Sequence, residues 1–201
     1  MKIIVFDTET TGFPSNSGVL ADQPYICQFG AIVIDCDLTA RKLREVRRVD
    51  QLLRPLVSIP PDASRVHGIR DADVVAAPTF AEYVDTLLDC FASSDAAVGH
   101  NIDFDRRIIE NELLRVGRRK DFLPAQTFDT MLAGVDVCKL PGGRSGYKYP
   151  TLTELHRFFF DVEFANSHNA IADVMATAKV MQEYMRRGIF VPQEPRQNSL
   201  F

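Results

Sequence analysis

The sequence predicts an α/β protein, a mixed sheet with helices packed on it. Two observations carry this. Three β-branched or apolar runs come early, between Lys2 and Arg54, with short polar links. After Pro60 and Pro61, helix-period patterns alternate with two brief apolar runs. Strands first, then strands alternating with helices, is the order such a sheet requires.

The elements follow in turn. Lys2 to Phe6 is a buried strand that stops at the polar cluster Asp7–Gly12, a functional loop or a turn. Tyr25 to Asp35 is a second strand and Val46 to Arg54 a third, linked by polar Asp37 to Glu45, so the three form an antiparallel meander. Asp71 to Ala77 reads as a turn or short helix. Thr79 caps a helix with Phe80, Tyr83, Val84, Leu87, Leu88 and Phe91 at helical spacing. Ala96 to Gly99 is a brief strand, Phe104 to Val116 a helix with Ile108, Ile109, Leu113 and Val116 inward, and Gln126 to Asp129 a last short strand. Thr151 and Glu154 form a capping box for a helix to Phe160. Asn169 to Arg187 is a helix ending at Gly188, with Ile171, Val174, Met175, Ala178, Met181 and Met185 on one face.

The chain has 201 residues, 46% of them hydrophobic and 25% charged. At this length a compact fold buries roughly 70% of its unfolded surface, so one domain can form without disulfides or structural zinc. No apolar run approaches the roughly 20 residues of a membrane span, and the N-terminus lacks the length of a signal peptide. A cytosolic location with no membrane partner is expected. Cys27, Cys36, Cys90 and Cys138 include no CxxC pair, so neither zinc nor a disulfide framework is implied.

Four carboxylates stand at element ends. Asp7 and Glu9 lie two residues apart at the end of an apolar strand, which puts them on one side of the sheet. Asp105 falls in the first turn of a helix after the Gly99 strand, and Asp173 in the first or second turn of the last helix, five residues after His168. If these elements are neighbours, four acids converge, and such a cluster needs cations because like charges raise one another's pKa. Oxygen ligands in that number suit Mg²⁺ or Mn²⁺. Each piece also has a plain reading. DxE arises by chance, and an acid in a first turn complements the helix dipole.

The three segments Val5-Phe6-Asp7-Thr8-Glu9-Thr10-Thr11-Gly12, His100-Asn101-Ile102-Asp103-Phe104-Asp105 and His168-Asn169-Ala170-Ile171-Ala172-Asp173 resemble, in order, the motifs of the DnaQ-like (DEDDh) 3′ to 5′ exonucleases. That family includes the epsilon proofreading subunit of bacterial DNA polymerase III. Val66-His67-Gly68-Ile69 is similar to a further family segment, and the resemblance runs from about Ile3 to Met185. It implies an RNase H-like fold with a mixed five-stranded sheet flanked by helices. It also selects Asp105 over Asp103, leaving Asp103 as a helix N-cap. One departure is Gln28, where many relatives have Glu.

The resemblance implies two Mg²⁺ or Mn²⁺ ions held by Asp7, Glu9, Asp105 and Asp173, with Asp7 bridging, and His168 as general base. His67, His100 and His156 read as loop, packing and exposed-helix residues. Thr8, Thr10, Thr11, Gly12, Phe13, Asn101 and Phe104 are the expected substrate contacts. Phe13 or Phe104 would stack on a base, although Phe104 equally reads as core. Basic candidates for phosphate contact form three sets: Arg41, Lys42, Arg44, Arg47 and Arg48; Arg115, Arg118, Arg119 and Lys120; and Lys139, Arg144, Tyr147, Lys148 and Tyr149. The third, with aromatics interleaved, is favoured.

The expected organisation is an exonuclease domain over 1–190 and a mobile tail over 191–201. In that tail Gln197, Leu200 and Phe201 resemble a sliding-clamp-binding peptide, which would select DNA over RNA and a role in replication or repair. The expected activity is 3′ to 5′ hydrolysis of single-stranded or frayed DNA ends to mononucleotides. The alternatives are an RNA-trimming relative and a silent nucleic-acid-binding polymerase subunit. The net charge of −4 does not oppose DNA binding, because setting aside the four site acids leaves the remaining acids equal to the 23 bases.

Overall fold

The computed structural model describes residues 1–38, 42–142, 146–165 and 167–193. A five-stranded sheet carries β1 (Lys2–Thr10), β2 (Ile26–Asp37), β3 (Lys42–Leu52), β4 (Ala96–Gly99) and β5 (Gln126–Asp129) in the order β3-β2-β1-β4-β5. The first three strands form the expected antiparallel meander, and β4 and β5 add in parallel on the far side of β1. The helices are α1 (Pro61–His67), α2 (Asp71–Val74), α3 (Phe80–Ala92), α4 (Ile102–Arg115), α5 (Thr130–Cys138), α6 (Leu152–Phe160) and α7 (Ala170–Arg186).

Strand alternation divides the core. Ile4 and Phe6 of β1 pack with α3 and α4 through Val84, Leu87, Phe91, Ile108 and Leu113. Ile3 and Val5 face the other way, onto α6 and α7 through Leu155, Val174, Ala178 and Met181. Helices therefore cover both faces of the sheet, as the RNase H-like expectation requires. Asp7 and Glu9 continue the Ile3–Val5 row and lie on the α7 face.

The length mismatch between β1 and β4 makes room for a site. Pairing of β1 with β4 ends at Val5↔Val98, whereas β1 pairs with β2 as far as Thr10. The end of β1 is an overhang beside the start of α4. It is strand, not loop, through Thr10.

Several boundaries differ from expectation for physical reasons. The polar stretch Asp37–Glu45 belongs largely to the β2–β3 hairpin, with Asp37 opposite Lys42; β3 is an edge strand with many solvent-facing positions, so its apolar alternation is weak. Asp103 is not the N-cap of α4. The cap is Asn101 in a left-handed conformation, φ 66°, and the N–H groups of Asn101 and Ile102 donate to the Asp129 carboxylate, both at 3.1 Å. Asp103 pairs with Arg106 instead. Asp129 also accepts from Met131 and Leu132 and so caps α5 as well. His156 is buried at 3% exposure with Nδ1 2.9 Å from the Val162 carbonyl, rather than on an exposed helix face. Arg41, Arg144 and the tail residues Gln197, Leu200 and Phe201 lie outside the described residues.

Candidate active site

The overhang of β1 floors a cleft of about 540 Å³. Phe13, Ala63, Val66 and Phe104 contribute to its apolar lining, as do Met131, Tyr149, Pro150 and Leu152. Asp7, Glu9, Asp105, Asp173 and His168 all reach it.

Three of the four carboxylates meet. Ligand oxygens of Asp7, Glu9 and Asp173 lie within 4.8 Å of one another. Asp7 and Glu9 arrive from alternate positions of β1, and Asp173 from the first turn of α7, which packs on the same face. Asp105 enters from α4, which covers the opposite face, and its charge acts on both Asp7 and Glu9. Its Oδ1 accepts from the Thr8 N–H at 2.9 Å and from the Thr8 hydroxyl at 2.6 Å. That N–H lies beyond the end of β1–β4 pairing, and a buried backbone donor there needs an acceptor.

Burial and mutual repulsion set the protonation of the group. Burial, then the charges of Asp105, Asp173 and Glu9, hold Asp7 well above the usual carboxylate range. Glu9 is pushed up to about 8 by burial and then by Asp173 and Asp105. Burial raises Asp173 to about 6, against the lowering effect of the His168 N–H, which donates to Asp173 Oδ2 at 3.1 Å. Burial also raises Asp105, opposed by its two bonds from Thr8. Among the described residues, no basic side chain offsets Asp7 or Glu9. Asp173 Oδ1 is buried without a hydrogen-bond partner among the described residues. An oxygen-only donor set with an orphaned buried carboxylate oxygen fits a hard divalent cation.

His168 is exposed at the cleft, in a left-handed conformation of φ 66°. The other two histidines lining the cleft are engaged. His67 Nδ1 accepts from the Ile69 N–H at 3.1 Å, which leaves Nε2 as the donor to the Thr10 carbonyl at 3.2 Å; burial lowers its pKa. Burial takes His100 down to about 4, with Nδ1 3.0 Å from the Thr130 hydroxyl.

The expected substrate contacts divide. Phe13 is 87% exposed at the rim, edge-on to half-buried Phe104 with ring centroids 6.0 Å apart. Thr8, Thr10, Gly12 and Asn101 also line the cleft. Thr11 does not. Its N–H donates to the Tyr25 carbonyl and its hydroxyl oxygen accepts from the Tyr25 N–H, both at 2.9 Å, closing the segment after β1. Most arginines of the first two basic sets are spent on neighbours: Arg44 on Asp35, Arg47 on Asp89, Arg48 on Glu45, Arg118 on Asp85 and Arg119 on Asp121. Arg115 lies 3.6 Å above the Tyr25 ring and donates to the carbonyls of Leu20, Gln23 and Pro24. From the third set Tyr149 reaches the cleft, while Lys148 pairs with Glu154.

The sequence profile of the RNase T family, described as Exonuclease, matches residues 4–181. The chain belongs to this exonuclease family. A DNA polymerase III subunit epsilon-like protein of Rhodobacter capsulatus is 33% identical over 180 residues, 89% of this chain and 23% of that protein. The DNA polymerase III subunit epsilon of Escherichia coli K12 is 29% identical over 181 residues, 88% of this chain and 68% of that subunit. The chain thus spans under a quarter of the first relative and about two thirds of the second. In three dimensions it is similar to E. coli Exonuclease I in complex with a dT13 oligonucleotide, with a TM-score of 0.73 at 19% identity over 94% of this chain and 42% of that one. This last likeness is one of fold.

Among the described residues, no helix is long and apolar enough to cross a membrane. Some contributors to the site were not singled out as such from the sequence. Ala63, Met131, Pro150 and Leu152 form wall through their place in the fold, and Asp129 sets where α4 begins. Of these, Asp129 carried a signal, an acid directly before a helical run.

Proposed function

We propose that this domain is a metal-dependent 3′ to 5′ exonuclease that shortens single-stranded or frayed DNA by one nucleotide at a time, in proofreading or repair. The observation that carries the reading is the triad of Asp7, Glu9 and Asp173 at the floor of a cleft with an exposed aromatic at its rim. Membership of an exonuclease family supports hydrolysis, and the epsilon relatives support DNA as substrate.

Asp7, Glu9 and Asp173 would hold one Mg²⁺ or Mn²⁺, with Asp7 and Asp105 serving a second. Bound there, the ions supply charge neutralisation at the scissile phosphate and acidify water. The protein's own groups do the rest. Phe13 offers a face to the terminal base, and Tyr149, which also lines the cleft, offers another. Thr10 and Gly12 border the space left for the terminal sugar. His168, exposed at the cleft, takes the proton of the attacking water as that water's oxygen bonds to phosphorus. The bond from phosphorus to the 3′ oxygen of the preceding nucleotide breaks, that oxygen acquires a proton from solvent, and a 5′-mononucleotide leaves.

The test is degradation of 3′-labelled and 5′-labelled DNA and RNA strands with Mg²⁺ or Mn²⁺, by the native chain and by Asp7→Ala. The expected result is release of labelled mononucleotide first from the 3′ label, faster on DNA, and lost with Asp7→Ala. An active Asp7→Ala protein overturns the assignment of the site. Faster loss from RNA overturns the choice of sugar.

A further inference from the structure

The β1 carboxylates and the helix that carries Asp173 are tied to the same two rungs of the sheet. In the β1–β2 register Asp7 stands opposite Gly30, and Glu9 opposite Gln28. Both β2 residues touch the start of α7. A Cβ at Gly30 would lie 2.6 Å from the carbonyl carbon of Ala170 and 2.8 Å from the Ile171 nitrogen, so α7 rests directly on this rung. Two residues along, on the same face, Gln28 is buried at 3% exposure. Its Oε1 accepts from the Ala170 N–H at 3.1 Å and from Asn169 Nδ2 at 3.4 Å, and its Nε2 donates to Asp50 of β3 at 2.7 Å.

The partners fix which way the amide points. The Ala170 N–H can only donate, so the amide oxygen must face α7 and the nitrogen then faces the Asp50 carboxylate of β3. Ala170 opens α7 and its N–H has no acceptor within the helix. Asn169 caps the same turn through the Ala172 N–H at 3.3 Å. One side chain from β2 thus satisfies the end of α7 three residues before Asp173 and two residues after His168.

We propose that Gln28 is a positioning residue that latches α7 to the rung of Glu9 and thereby sets Asp173 within ligand distance of Asp7 and Glu9, and that it does so because an amide both accepts from α7 and donates to Asp50. This rests on the metal-binding reading of those carboxylates given above. Glutamate at this position keeps the acceptor for α7 but sets a carboxylate against Asp50. Leucine keeps much of the volume and loses both contacts. Groups that hold metal ligands in place typically cost 10- to 100-fold in metal affinity when replaced.

The test is Mn²⁺ titrated into the full chain without nucleic acid, following the resonance signal of free Mn²⁺, beside binding of a labelled dT oligonucleotide in chelator. Gln28→Leu and Gln28→Glu are expected to weaken Mn²⁺ binding about 10- to 100-fold with oligonucleotide affinity unchanged. Adding Asp50→Asn to Gln28→Glu reverses the polarity of the pair, since the new amide donates to the new carboxylate, and is expected to restore most of the Mn²⁺ affinity. Native Mn²⁺ affinity in Gln28→Leu overturns the proposal. So does a double variant no better than Gln28→Glu alone, a comparison that stands even where Gln28→Leu fails to fold. Asp7→Asn separates the two levels. Undiminished Mn²⁺ binding there removes the metal site itself, whereas loss there with no effect of Gln28 removes the latch alone.

Discussion

Replacing Asp7 with asparagine is expected to stabilise the metal-free protein while ending its capacity to hold the ion. At an effective dielectric constant of about 20, two like charges at the 4.8 Å limit of the triad repel by about 3 kcal/mol. Protons retained by the neighbours reduce the realised gain to about 2 kcal/mol at pH 8. The sign with pH follows from the raised values. In the unfolded chain these acids lose their protons near pH 4, whereas in the fold Asp173 and Glu9 keep theirs to about 6 and about 8. The folded state binds more protons across that window, so native stability falls as pH rises through it. The advantage of Asp7→Asn therefore grows from near zero at pH 4 to about 4–8 °C in melting temperature at pH 8 for a chain of this size. Thermal melts in chelator from pH 4 to 8 measure it. With Mg²⁺ at about 100 times its dissociation constant the native chain gains about 2.7 kcal/mol and the order reverses. An Asp7→Asn protein that melts at or below the native one at pH 8 in chelator refutes the reasoning.

His168→Ala should keep metal and oligonucleotide binding while kcat falls by roughly 10²- to 10⁴-fold; single-turnover rates beside Mn²⁺ titration check it. Gly30→Ala forces a methyl into the backbone of α7. A loss of about 1–3 kcal/mol in denaturant titration is expected, along with weakened metal binding. Phe13→Ala should raise KM for short DNA by roughly 5- to 150-fold, from about 1–3 kcal/mol of stacking, with an unchanged melting temperature because the ring is 87% exposed. An equal KM would move the base contact elsewhere in the cleft.

Local patterns carried much of this architecture. The alternation of Ile3, Val5, Asp7 and Glu9 announces a strand with one face for core and then for chemistry, and the capping box at Thr151 and Glu154 marks the start of α6. What could not be read locally was the face of the sheet on which each helix packs. Asp105 has the spacing of a ligand, but nothing local tells that α4 brings it in from the face opposite α7 with one carboxylate oxygen held by Thr8. α1 buries no residue, and α5 has Gly134 mid-helix and a weak apolar stripe, so neither has a clear periodic signature. His156 looks like a polar residue on a helix surface until Phe160 and Phe164 close over it.

β1 is the middle strand of the sheet, and Ile3, Ile4 and Val5 are wholly shielded from water. Amide hydrogens in such a strand exchange with solvent chiefly when the whole domain opens. The floor of the cleft thus shares its rigidity with the most protected part of the molecule. The rim around Phe13 and Tyr149 is attached by exposed segments with fewer constraints. On the proposed function, adjustment to purines or pyrimidines falls to the rim while the reacting phosphate meets an unchanging floor, a division of labour suited to an exonuclease that releases nucleotides whatever their base.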